Sequence, residues 1–165
     1  MNLPRRLHAA VIALVAGAAM ANGTLRADTP ASAPAGCTGP ASGTWLNVVA
    51  DGLRNGNGLL AVTLYEDNSR KFLVHHGSLY VGRVNAVAGT TRACIFVPRP
   101  GIYALALYHD ENANTKFDRT AIGFPAEGYG FSNNPATLAG LPSFRSVRLN
   151  VPRSGLTTRV HMKYP

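Results

Sequence analysis

The sequence predicts an all-β domain, an antiparallel β-sandwich of about seven strands. Three observations carry this expectation. Apolar residues recur with period two through most of the chain, and the 17 glycines and 11 prolines fall between short apolar runs. No long stretch with helical periodicity follows the N-terminal segment. With 165 residues, 46% hydrophobic and 15% charged, the chain can fill one core and is too apolar for wholesale disorder or a coiled coil.

Taken in order, Trp45–Ala50 is the first candidate strand. Leu60, Val62 and Leu64 then alternate with Ala61, Thr63 and Tyr65, as a strand with one buried face requires. Ser69–His76 fits a short helix or an irregular crossing equally. Leu79–Val87 and Thr91–Val97 are further strands, followed by Tyr103, Leu105 and Leu107 alternating with Ala104, Ala106 and Tyr108. Val147, Leu149 and Val151 alternate with polar residues, and so do Leu156, Val160, Met162 and Tyr164. Pro152-Arg153-Ser154-Gly155 between those two runs reads as a hairpin connection. Gly56-Asn57-Gly58 fits a loose dinucleotide pattern but precedes a strand. Without a helix N-terminus to hold phosphate, it reads as a turn.

Residues 1–27 read as a signal peptide. Arg5 and Arg6 form its basic start, Leu7–Met20 its apolar stretch, and cleavage is expected after Ala21 or Ala27. The apolar stretch is shorter than the ~20 residues of a spanning helix, so no transmembrane segment is expected in the mature chain. Residues 28–43, rich in Pro, Ala, Gly and Ser, read as a linker, and 44–165 as the sandwich domain. Export to the periplasm or beyond makes Cys37 and Cys94, the two cysteines of the chain, a disulfide pair.

The chemistry concentrates in residues 108–134. Asp110, Asn112, Asn114 and Asp118 occupy positions 1, 3, 5 and 9 of a loop in which alternate oxygens can converge on calcium. The Lys116 carbonyl would be a further ligand, and Glu127 would supply the carboxylate missing at the end of the array. The competing reading is a polar Asx-turn loop. A second function class is a metal-assisted or acid–base hydrolase using His109 with Asp110, Asp118 and Glu127. It lacks any nucleophile or cofactor signature, so a non-catalytic binding or structural module is the first expectation. His75 and His76 are adjacent and would diverge on a strand, which suits an edge better than a shared metal.

The formal charge is +8, from 16 Lys and Arg against 8 Asp and Glu. Between Gly128 and Pro165 there is no acidic residue. Arg148, Arg159 and Lys163 would then form an outward basic face on the C-terminal hairpin, suited to acidic polysaccharide or an anionic envelope surface. Nucleic acid is not an expected partner of an exported chain.

The run Gly101-Ile-Tyr-Ala-Leu-Ala-Leu-Tyr-His-Asp-Glu-Asn-Ala-Asn-Thr-Lys-Phe-Asp118, followed by Ile122-Gly-Phe-Pro-Ala-Glu-Gly-Tyr-Gly-Phe-Ser-Asn-Asn134, resembles the domain of unknown function 2141 family of secreted bacterial proteins. The resemblance is specific over 101–134 and extends in layout over roughly 44–163. It implies a prealbumin-like β-sandwich in the bacterial envelope and brings no established activity. The chain departs from the family pattern at Ala113 and Thr115, where glycines are usual.

Overall fold

The computed structural model describes residues 32–138 and 141–165. The expected signal peptide and the first residues of the linker lie outside them. Eight strands are described: β1 (Thr44–Leu53), β2 (Leu59–Glu66), β3 (Tyr80–Asn85), β4 (Gly89–Val97), β5 (Gly101–Asp110), β6 (Gly128–Phe131), β7 (Arg148–Val151) and β8 (Leu156–His161). One helical turn, α1 (Phe144–Val147), precedes β7.

The strands form two sheets. One has the order β4-β1-β8; the other runs β3-β2-β5-β6, with β7 beside β5 on the same edge as β6. Strand β6 pairs with residues 106–109 of β5, and β7 with residues 101–104. Alternation explains the sandwich. Leu46 and Val48 of β1, Leu60 and Leu64 of β2, and Leu105 and Leu107 of β5 face one shared core and are almost wholly buried. Fully burying such a side chain is worth about 1.5–3 kcal/mol.

One open expectation is decided in favour of an irregular crossing, and one needs correction. Ser69–His76 is a run of turns with left-handed residues at Leu73 and His76. It is anchored by Phe72, which packs on Tyr65, Phe131 and Phe144. Pro152–Gly155 is not a hairpin: β7 pairs with β5, whereas β8 crosses to the other sheet and runs parallel to β1, with Leu46 opposite Leu156 and Asp51 opposite His161. Both segments have the alternation of paired strands, because period two reports a buried face and carries no information about the neighbour.

The Gly-Tyr-Gly-Phe-Ser-Asn-Asn stretch, 128–134, holds the two sheets together at this edge. A Cβ on Gly128 would overlap the Tyr164 ring, and one on Gly130 would overlap Val160. The bare glycine face therefore lets the C-terminal strand lie close. Ser132 Oγ donates to the Val147 carbonyl and accepts from the Leu105 amide. Asn133 and Asn134 both adopt positive φ, 66° and 49°. Asn133 donates to the Arg148 carbonyl, while Asn134 donates to the Arg159 carbonyl and accepts from the His161 amide.

Cys37 and Cys94 are joined by a disulfide. Thr38 continues the attachment, bonding the Cys94 carbonyl and the Phe96 amide at 2.9 and 3.0 Å. From the other sheet, the half-buried Tyr80 hydroxyl donates to the Phe96 carbonyl, with the Thr38 carbonyl 3.2 Å from the same oxygen. The bridge closes a loop with a sequence separation of 57, worth about 4 kcal/mol in the chain-entropy model. Cys94→Ser should therefore lower unfolding stability by about 2–4 kcal/mol in urea melts. Thiol titration of the unfolded, unreduced protein should find no free thiol; two per chain would disprove the pairing.

Candidate functional site

Strand β5 ends at His109 and Asp110, and the chain then turns through residues 111–127 before returning as β6. His109 faces the core and is 0% exposed. Its Nε2 lies 2.8 Å from the Asn57 carbonyl, which can only accept, so Nε2 carries the hydrogen. Nδ1 is hydrogen-bonded to the Tyr164 hydroxyl at 2.7 Å, and that oxygen accepts from the Arg54 amide at 3.2 Å. The imidazole is thus sealed, with both nitrogens engaged. Glu111, although partly buried, is held below the usual carboxylate range by the Asn55 amide at 2.9 Å and the Arg54 guanidinium at 2.7 Å.

Asp110 is also fully buried and organises the loop. Its Oδ1 accepts from the Asn114 amide at 3.0 Å and its Oδ2 from the Thr115 amide at 2.8 Å. Asn112 and Asn114 make successive Asx turns, their side-chain oxygens accepting from the Asn114 and Lys116 amides. Both side-chain amides also donate to Asp118 Oδ2 at 2.8 Å. The loop therefore brings Asp110, Asn112, Asn114, Lys116 and Asp118 together, in a closed network of turns. Glu127 joins it from the far end, Oε2 accepting from the Asp118 amide at 3.1 Å. Glu127 is only 6% exposed, and its Oε1 is buried without a hydrogen-bond partner among the described residues.

Two residues of the loop without glycine's freedom are left-handed: Ala113 has φ 56° and Thr115 φ 65°, the positions at which the resemblance implies glycine. The left-handed conformation costs a residue with a Cβ about 1–2 kcal/mol. Thr115→Gly should relieve this against a smaller loss of chain entropy, raising stability by about 0.5–1 kcal/mol in thermal melts. Thr115 reaches its neighbours through its main-chain carbonyl, which accepts from Tyr108 and Arg83, and glycine keeps that group.

The remaining expected sites lie elsewhere. Arg148 forms a two-pronged pair with Asp67 at 2.7 and 2.6 Å, and Arg159 pairs with Asp51. Lys163 donates to the Pro135 carbonyl at 3.2 Å. Arg148 is on β7 and Arg159 on β8, in different sheets, so the hairpin face expected of Arg148, Arg159 and Lys163 is corrected. Both arginines are already neutralised by aspartates distant in sequence. His75 and His76 lie in the turn run, their rings 3.8 Å apart.

A cleft that sequence reasoning missed opens on the outer face of the five-stranded sheet. Its volume is about 340 Å³, within the range of small-molecule pockets. The register puts Thr63 opposite Ala106, Ala106 opposite Phe131, and Tyr108 between Ala61 and Tyr129. Small residues thus make the floor and aromatic rings the walls. Phe117, Arg119 and Pro125, which flank Asp118 and Glu127, complete one side. The legible signal was aromatic residues on the strand face opposite the aliphatic one.

Burial first, then the nearby charges of Asp118 and Asp110, push the Glu127 carboxyl above the usual carboxylate range, against the amides of Asp118 and Glu111. Between the ordinary glutamate value and this raised value, the folded protein holds a proton that the unfolded chain releases, so stability falls as pH rises through that window. Glu127→Gln should flatten this decline in melts recorded in chelator from about pH 4 to pH 7. An unchanged slope would place the titration elsewhere.

Among the described residues, no helix is long and apolar enough to cross a membrane, and no group of three or more His, Cys, Asp or Glu side chains is arranged as a preformed metal cage. No curated protein and no solved structure gives a significant match to the chain. The profile of one family, described as an uncharacterized protein conserved in bacteria (DUF2141), matches residues 48–159. That span holds β2 to β7, the acidic loop and the cleft, and the chain is a member of the DUF2141 family.

Proposed function

We propose that the protein is an exported, non-catalytic binding module of the bacterial envelope, periplasmic or secreted, whose loop from Asp110 to Glu127 is braced by calcium. One observation carries the calcium reading. Glu127 Oε1 is buried without a partner, in a carboxyl group close enough to Asp118 and Asp110 to feel both charges. An unpaired carboxylate oxygen out of reach of water is costly unless a cation or proton meets it. The donor set is all oxygen, which suits calcium. Asp110, Asp118 and Glu127 would supply the charge, and Asn112, Asn114 and the Lys116 carbonyl the neutral oxygens. Because the asparagine oxygens already accept amide hydrogens, binding must compete with the Asx turns. The affinity therefore belongs at the weak extracellular end, about 10⁻⁴–10⁻³ M.

His109 supports the non-catalytic reading. A general acid or base must reach substrate, and this ring is enclosed with both nitrogens bonded. Acidic polysaccharide or an anionic envelope surface remains the proposed macromolecular partner, drawn by the overall cationic excess rather than by one patch. Such attraction is screened over about 8 Å at physiological salt.

Calcium at tenfold above its dissociation constant should add about 1.4 kcal/mol. The melting temperature should then rise by about 3–6 °C over that in chelator. Asp118→Asn and Glu127→Gln should each remove that increment while leaving the far-ultraviolet circular dichroism of the sheets unchanged. Identical melting in calcium and in chelator would refute the calcium reading.

A further inference from the structure

The outer face of a β-sandwich in water is expected to be polar, and at the cleft it is not. Around the mouth, Leu73, Val74 and Leu141 remain 38%, 50% and 52% exposed. Together with the aromatic walls they make a contiguous apolar patch, which monomeric proteins rarely keep without a use. The patch is concave, and its floor is made of Thr63 and Ala106, small residues in the middle of the sheet. At the other end of the same face, Phe72, Phe144 and Val147 cover Tyr65 and Phe131 in a second small core. The fold thus fills one half of this face and leaves the other half open.

The charge at the cleft has one sign. No carboxylate lines it, whereas Arg119 and His75 do. Arg119 lies over the Phe117 ring at 5.1 Å and donates one N–H to the Gly123 carbonyl at 2.9 Å, which fixes its plane. Among the described residues, no carboxylate lies within ion-pair distance of it. Its remaining donors are thus free for an anion, and the guanidinium fork matches a carboxylate.

We propose that this cleft binds a small amphiphilic acid, with an acyl or aromatic body seated over Thr63 and Ala106 between the rings of Tyr108, Phe117 and Tyr129, and its carboxylate on Arg119. The proposal deepens the binding-module reading and rests on it, but it does not depend on calcium. The pocket volume and the aromatic walls favour the apolar body, and Arg119 selects the acid over an alcohol or amine of the same shape.

The purified protein should bind decanoate saturably, one per chain, in isothermal titration calorimetry, and decanoate should displace anilinonaphthalene sulfonate in fluorescence. Arg119→Glu, at an exposed position, should weaken decanoate about tenfold or more and leave decanol binding unchanged. Leu141→Asp on the rim should weaken both, and Arg119→Lys should recover part of the loss. The variants should keep the cooperative melt of the parent, which separates a lost site from a loosened core that takes up the dye. Absence of saturable decanoate binding, or equal affinity in the parent and in Arg119→Glu, would overturn the proposal. Running the titration in calcium and in chelator separates the two readings. Binding without a calcium-dependent melt removes the brace and keeps the cleft; a calcium-dependent melt without binding removes the cleft.

Discussion

Strand β5 has to satisfy two faces and two edges at once, and the rest of the molecule is arranged around that requirement. Tyr103, Leu105, Leu107 and His109 face the core; Ala104, Ala106 and Tyr108 face outward. One edge is held by β2 over residues 103–110 and the other by β7 and then β6. Since side chains alternate strictly, no residue of β5 can be exchanged between these duties without a register slip that would put alanines inside and leucines outside. The small outward residues are therefore part of the same pattern as the large inward ones. They leave the hollow that the aromatic residues of β5 and β6 enclose.

At its far end the same strand runs into an electrostatic difficulty. Asp110 and Glu127 are buried and Asp118 is half-buried, all within one turn region. The loop answers partly with hydrogen bonds: the Asn114 and Thr115 amides on Asp110, two asparagine side chains on Asp118, and the Asp118 amide on Glu127. The answer is incomplete at Glu127 Oε1. Phe117 and Pro125 belong to this region, so the hydrogen bonds on Asp118 and Glu127 also hold one wall of the cleft. Weak binding is compatible with such a part, because a structural brace has only to shift the loop equilibrium by a kilocalorie or so.

The sandwich was legible because its core obeys a local rule, and Leu60, Val62 and Leu64 or Tyr103, Leu105 and Leu107 display it without reference to partners. Partner choice was not legible. Val147–Val151 and Leu156–Met162 looked like two arms of a hairpin, yet the crossing at Pro152–Gly155 sends β8 to a parallel seat on β1. The acidic loop could be read from the spacing of Asp110, Asn112, Asn114 and Asp118, since oxygen geometry repeats along a short backbone. The pairing of Arg148 with Asp67 and of Arg159 with Asp51 could not, for each joins residues remote in the chain. The cleft was hidden for the same reason: its floor and walls come from three strands and three loops, and only the tertiary fold assembles them.

The parallel seat of β8 sets the order in which the molecule can be completed. The three-stranded sheet lacks an edge strand, and His109 lacks its Tyr164 partner, until the final ten residues of the chain are present. The β1–β8 pairs join residues more than a hundred positions apart, the slowest kind to form in a β protein. A nascent chain of this sequence therefore stays open through nearly all of its synthesis, with β1 exposing a free edge to any strand it meets. That leaves a long interval in which a chaperone can cover the open edge of β1.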